Sequence, residues 1–133
     1  MIGRRIDVIG NPIAIFFAKH VGNAYSRSEN VASVTNAHFE GVADPYGDGF
    51  ATLIVTQKLS EAGDTSGTCT YAGQAFKDGN TLGGLGEGTW EQLPGESKWK
   101  VTLDIDGSNG DRIRSVGIID LPNRTWDGEL FQR

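Results

Sequence analysis

Residues 82–121, "LGGLGEGTWEQLPGESKWKVTLDIDGSNGDRIRSVGIIDL", decide how the chain folds. At their centre, "KWKVTLDID" places Trp99, Val101, Leu103 and Ile105 on one parity and Lys98, Lys100, Thr102, Asp104 and Asp106 on the other. An apolar set alternating with a charged set at a period of two is the pattern of a strand with one wet face. The flanking clusters "LPGES" (93–97) and "DGSNGD" (106–111) carry the Gly, Pro, Asn, Asp and Ser residues that make turns. Beyond the second turn, Ile113, Ser115, Gly117 and Ile119 form the cleaner inner face, which leaves Arg112 and Arg114 outside with Val116 and Ile118. Those arginines are predicted to pair with Asp104 or Asp106 across the hairpin.

Similar punctuation recurs outward from this stretch. "SRSEN" (26–30), "DPYGDG" (44–49), "SEAGDTSG" (60–67), "KDGNT" (77–81) and "LPNR" (121–124) bring the number of turns to seven, which separate eight segments. The segments are rich in Val, Ile, Thr, Phe, Tyr and Trp, and none has a sustained helical period with caps at both ends. Eight antiparallel strands can remove their edges by closing into an up-and-down barrel, whereas a Greek-key sandwich needs a long return connection that the short late turns do not supply. The reading is therefore all-β, a single domain over residues 1–133 folded as an eight-stranded antiparallel up-and-down β-barrel. Trp90, Trp99, Val101, Leu103, Ile105, Trp126 and Leu130 are expected inside.

Composition excludes several functions. The net charge of −5 and the scattered Lys and Arg residues lack the footprint of a nucleic-acid binder. The opening "MIGRRIDVIGNPIAIFFAKH" sets two arginines before an apolar run, but Asp7, Asn11 and Pro12 interrupt it. It reads as a first strand, not a leader, and is too short to span a membrane. One cysteine, Cys69, permits no internal disulfide, which agrees with a cytoplasmic protein; a small buried apolar role is expected for it. His20 and His38 form no His-x-His pair and no Cys-x-x-Cys exists, so no metal is expected. The glycines of residues 83–88 precede a strand and not a helix, so they make neither a dinucleotide nor a phosphate loop, and no cofactor is expected. The sequon "NRT" at 123–125 falls in a tight turn and carries no weight.

Gly84, Gly86 and Gly88 share a parity with Trp90. Either they let the sheet coil and are covered by aromatic side chains, or they clear a lumen for a ligand. Here the sequence resembles a family. "FKDGNTLGGLGEGTWEQL" followed by "WKVTLDI" is similar to the strand-turn-strand segment of the allene oxide cyclase-like barrels, a group that includes the dirigent proteins. The resemblance covers about 40 of the 133 residues. It implies a small eight-stranded barrel that holds an apolar molecule in its mouth or lumen, often as an oligomer, with enzyme members that cyclise or isomerise without a cofactor. No catalytic residue of that family aligns with this chain.

Candidate chemistry comes from parity. In "VASVTNAHFEGVAD" (31–44), Asn36, His38 and Glu40 share one face with Val34 and Val42, and Thr35, Ala37, Phe39 and Gly41 the other. If the first face is luminal, His38 is the proton-transfer residue with Glu40 to orient it, and Asn36 polarises the substrate. If Phe39 points inward, the polar trio is solvated. Gln57 shares a face with Leu53 and Val55, and Tyr71 with Cys69 and Gly73, so each can put a polar tip among apolar groups; a structural partner is expected for the Tyr71 hydroxyl. Trp90, Trp99 and Trp126 complete the expected ligand-contacting set.

Two functions follow. In the first, the barrel is a cofactor-independent isomerase, cyclase or lyase acting on a small, largely apolar metabolite or natural product. In the second, it is a non-catalytic carrier for such a ligand. Ile54, Val116 and Ile118 are left outside, which predicts a homo-oligomer, a dimer or trimer.

Overall fold

The computed structural model describes residues 10–133. The strands are β1 (Ala14–Arg27), β2 (Ala32–Asp44), β3 (Gly47–Lys58), β4 (Ser66–Lys77), β5 (Asn80–Gln92), β6 (Lys98–Gly107), β7 (Arg112–Asp120) and β8 (Thr125–Gln132). Each pairs antiparallel with its neighbour in sequence, and β8 returns to β1 to close the barrel. The eight-stranded antiparallel barrel expected from the turn spacing is thus the observed fold. Of the first-strand segment, residues 1–9 lie outside the described part, and the remainder leads into β1. A 3-10 turn, Leu59–Glu61, bridges β3 to β4.

The alternation of 98–106 places Val101 and Leu103 at zero exposure and Ile105 nearly so. Burying a side chain such as Leu103 contributes about 1.5–3 kcal/mol. Facing them are Phe39, Leu53, Cys69, Trp90 and Trp126, with Trp99, Ile113 and Ile119 packed against the cluster. On the outer face, Arg114 Nε donates to Asp104 Oδ1 at 2.7 Å and its terminal nitrogen to Oδ2 at 3.2 Å. Arg112 lies 3.6 Å from Asp106, so both predicted cross-hairpin pairs form.

Of the four glycines of β5, Gly84, Gly86 and Gly88 face β6 where it comes closest. A Cβ on Gly88 would strike the Thr102 carbonyl oxygen, and one on Gly86 would lie 2.6 Å from the Asp104 oxygen and 2.9 Å from Ile105. Ile105 therefore occupies the space that side chains at 84 and 86 would need. Of the two readings of the glycines, close approach of the sheet explains Gly86 and Gly88.

Two irregularities shape the wall. The register between β1 and β2 shifts between His20 and Gly22, a bulge that bends the hairpin. The pairing of β1 with β8 runs only from Ala14 to Lys19, so the far half of β1 has β2 alone beside it among the described residues.

Candidate functional site

The barrel is filled at one end and hollow at the other. At the end bearing the β3–β4 and β5–β6 connections, the Trp90 indole lies on Gly67, within about 3.0 Å of where a Cβ would sit. Below it Leu53, Cys69, Val101 and Leu103 close the interior. At the opposite end, beneath the β2–β3, β4–β5 and β6–β7 turns, lies a cavity of about 140 Å³. Its floor and walls include Phe16, Phe39, Tyr71, Ile105, Trp126 and Leu130.

Small residues on the inner parity make this space. Gly41 and Ala43 on β2, Gly49 and Ala51 on β3, and Gly73 and Ala75 on β4 all border the cavity. Aromatic side chains take up part of the room that glycines leave. Phe16 packs where a Gly117 side chain would be, 2.8 Å from that Cβ position, and the Tyr71 ring and hydroxyl fill the place of one at Gly73. Phe16, Phe39 and Tyr71 each meet the Trp126 indole edge-on, with centroids 5.6, 4.9 and 6.5 Å away.

Few polar atoms reach the cavity. The Tyr71 hydroxyl has no hydrogen-bond partner among the described residues, contrary to the structural partner expected for it. Burial pushes its pKa up, so at neutral pH it is a phenol that can donate or accept a hydrogen bond. The Trp126 Nε1 and Trp90 Nε1 protons are buried without acceptors. Ser115, 3% exposed, adds a hydroxyl to the wall. At the mouth, Tyr46 donates its hydroxyl proton to Asp111 Oδ2 at 3.0 Å, linking the β2–β3 and β6–β7 turns. Burial, then the hydrogen bond to and charge of Asp111, push Tyr46 up to about 12.

Parity settles the candidates of β2. Phe39 is 2% exposed and points inward, so Asn36, His38 and Glu40 lie on the outer face. His38 Nδ1 shares a hydrogen bond of 2.9 Å with the Thr52 hydroxyl of its cross-strand partner, and the Asn36 amide donates to the Ala24 carbonyl at 3.5 Å. Luminal proton transfer by His38 with Glu40 is corrected accordingly: the inner face of β2 is the one of small residues and Phe39. Gln57 does face inward but donates to the Glu61 carbonyl at 3.1 Å, tying down the 3-10 turn at the filled end. Trp90 and Trp99 belong to the filled end too, and of the expected contact residues only Tyr71 and Trp126 border the cavity. Cys69 is buried, and desolvation pushes its thiol up to about 11.

The sequence reading missed Tyr46, Asp111 and Phe16. The run "GVADPYGDGFA" with "YAGQAF" held the usable signal: Gly or Ala at alternate positions on adjacent strands marks a face with no side chains to fill it. Among the described residues no three His, Cys, Asp or Glu side chains converge as a metal site would require, and no helix is long and apolar enough to cross a membrane. Comparison with protein-family models, with curated proteins and with solved structures finds no match.

Proposed function

We propose that this barrel is a binding or carrier protein for one small, largely apolar organic molecule, held in its hollow end. The observation that carries the reading is the cavity itself. About 140 Å³ of space is comparable to the roughly 150 Å³ engineered cavity that stays dry and takes up benzene. Aromatic walls, one sealed end and a few polar atoms are the usual make-up of a ligand pocket. The resemblance to the allene oxide cyclase-like barrels points the same way. Their cofactor-free isomerisation or cyclisation is the second reading, and it needs a proton-transfer group in the lumen. His38 and Glu40 lie outside, Tyr71 is a neutral phenol, and the one lining carboxylate, Asp111, sits at the mouth engaged by Tyr46 and Asn109, so binding is favoured over catalysis.

The test is titration with ethylbenzene, followed by tryptophan fluorescence and by chemical shifts of the wall residues. Saturable binding is expected, with shifts at Phe16, Tyr71 and Trp126. Ala75→Phe, which places a ring in the hollow end, should abolish it while the circular-dichroism spectrum stays that of the parent. No saturable response, or binding unaffected by Ala75→Phe, refutes the reading.

Self-association is part of the proposal, with a second copy as the partner. Ile54, Val116 and Ile118 are half-buried, and more exposed apolar groups lie on β1–β4. Phe17 sits opposite Val42, and Phe50 packs on Phe76 with centroids 6.1 Å apart, all four exposed. Exposed apolar side chains grouped on neighbouring strands mark a surface that a partner can cover. Light scattering at micromolar concentration should show a dimer or trimer that Phe50→Ser dissociates; a monomeric parent refutes this part.

A further inference from the structure

The charge on the cavity wall is one-sided. Among the residues that line it, Asp111 is the single carboxylate, and there is no Lys, Arg or His. Three other carboxylates at this end have cations: Asp44 has Lys77 at 3.8 Å, Asp104 has Arg114 at 2.7 Å, and Asp106 has Arg112 at 3.6 Å; Asp48 and Asp78 have no ion pair among the described residues but are exposed to water. Asp111 has none among the described residues, although it is half-buried.

Its carboxylate is nonetheless held in place. Oδ2 accepts the Tyr46 hydroxyl at 3.0 Å and the Asn109 amide at 3.1 Å, and the Asp111 backbone N–H donates to Asn109 Oδ1 at 3.0 Å. Oδ1 takes no hydrogen bond among the described residues. A partly desolvated carboxylate fixed by neutral donors gains most from a cation brought to its open oxygen. Phe16, Tyr71 and Trp126 line the same cavity, and aromatic walls suit an aryl ring.

We propose that the ligand is a small arylalkylamine, its ring among Phe16, Tyr71 and Trp126 and its ammonium at Asp111. The inference rests on the cavity being the binding site, and it selects a chemical class within that reading. An organic acid of the same shape meets the carboxylate with no compensating cation, so the site discriminates by charge at the rim and by size at the floor.

The experiment compares three probes by isothermal titration calorimetry at pH 7: phenethylamine, ethylbenzene as its neutral counterpart and 3-phenylpropanoate as the anion. Phenethylamine should bind at least about tenfold tighter than ethylbenzene, and 3-phenylpropanoate more weakly than either, since hydrogen bonds to charged groups are the strong ones. Asp111→Asn should remove the preference for the amine, read as the ratio of phenethylamine to ethylbenzene affinity measured on the same folded variant. If ethylbenzene binds as well as phenethylamine to the parent protein, the amine proposal falls while the cavity reading stands. If none of the three binds, both fall. A preference for the amine that survives Asp111→Asn overturns the role given to Asp111.

Discussion

Substituting alanine along β5 measures how closely β6 approaches it. At Gly83 a Cβ meets nothing within 4 Å, at Gly84 it lies 3.2 Å from Ile105 Cγ2, at Gly86 it is 2.6 Å from a carbonyl oxygen, and at Gly88 it collides with the Thr102 carbonyl. The obstacle hardens from open space, through a side-chain methyl that can shift, to backbone that cannot shift without moving β6. Gly83→Ala should therefore be neutral or stabilising by about 0.4–1 kcal/mol, through lost freedom in the unfolded chain. Gly84→Ala should cost less than about 1 kcal/mol, and Gly86→Ala and Gly88→Ala about 1–3 kcal/mol, with Gly88 worst. For a chain of this size 1 kcal/mol moves Tm by about 4 °C, so Gly88→Ala should melt roughly 8–12 °C below the parent. Urea denaturation followed by tryptophan fluorescence gives the free energies and thermal scans the ranking. If Gly88→Ala is as stable as Gly83→Ala, β6 does not approach Gly88 closely enough to exclude a side chain, and the account of the glycine run is wrong.

Other outcomes follow from the interior and the rim. Cys69, buried and with its thiol at about 11, should react with a thiol reagent only as fast as the barrel opens; rapid labelling of the native protein at pH 8 would contradict its placement. The Arg114 hydrogen bond and the charges of Arg114, Arg133 and Arg112 hold the Asp104 carboxyl below its ordinary value against the opposing effect of burial. Its pairing is thus fully felt above the unfolded carboxylate value of about 3.9 and is lost as pH falls through the lower folded value. The pair is partly exposed, so Asp104→Asn should reduce stability at pH 7 by less than about 1 kcal/mol and flatten the acid limb below pH 4. His38→Gln should leave ethylbenzene affinity unchanged, because the ring sits on the outer face with Thr52; a large loss of affinity would place His38 in the binding path.

The later half of the barrel was more legible in the sequence than the earlier half. In β6 the inner residues are large and apolar and the outer ones charged, so alternation alone assigns the faces. In β2 and β3 the hydrophobic contrast fails. Val34, Val42, Phe50 and Ile54 are outside, while Ala37, Gly41, Ala43, Gly49 and Ala51 share the inner side with Phe39 and Leu53. An inner face that borders empty space does not need bulky residues, and an outer face that seeks a partner does not need polar ones. His38 was misplaced for that reason. The Tyr46–Asp111 contact joins turns 65 residues apart in the chain, and local pattern carries no information about such a meeting.

The closure of the barrel is incomplete along β1. Its backbone continues to Arg27, but the last contact with the β8 side is the His20 amide donating to the Arg124 carbonyl at 2.9 Å. From Gly22 to Arg27 one row of amides and carbonyls has no strand beside it among the described residues, so this ribbon should exchange its amide protons first and is the natural starting point for strand addition by another chain. The bulge at Val21, with Gly22 at a φ of 150°, twists the ribbon out of line with the wall, and the hydrogen-bonded string of His20, Asn23 and Tyr25 lies along it. The margin of β1 from Gly22 to Arg27 is thus short, irregular and polar, and a flat extension could not be docked on it without first straightening the bulge.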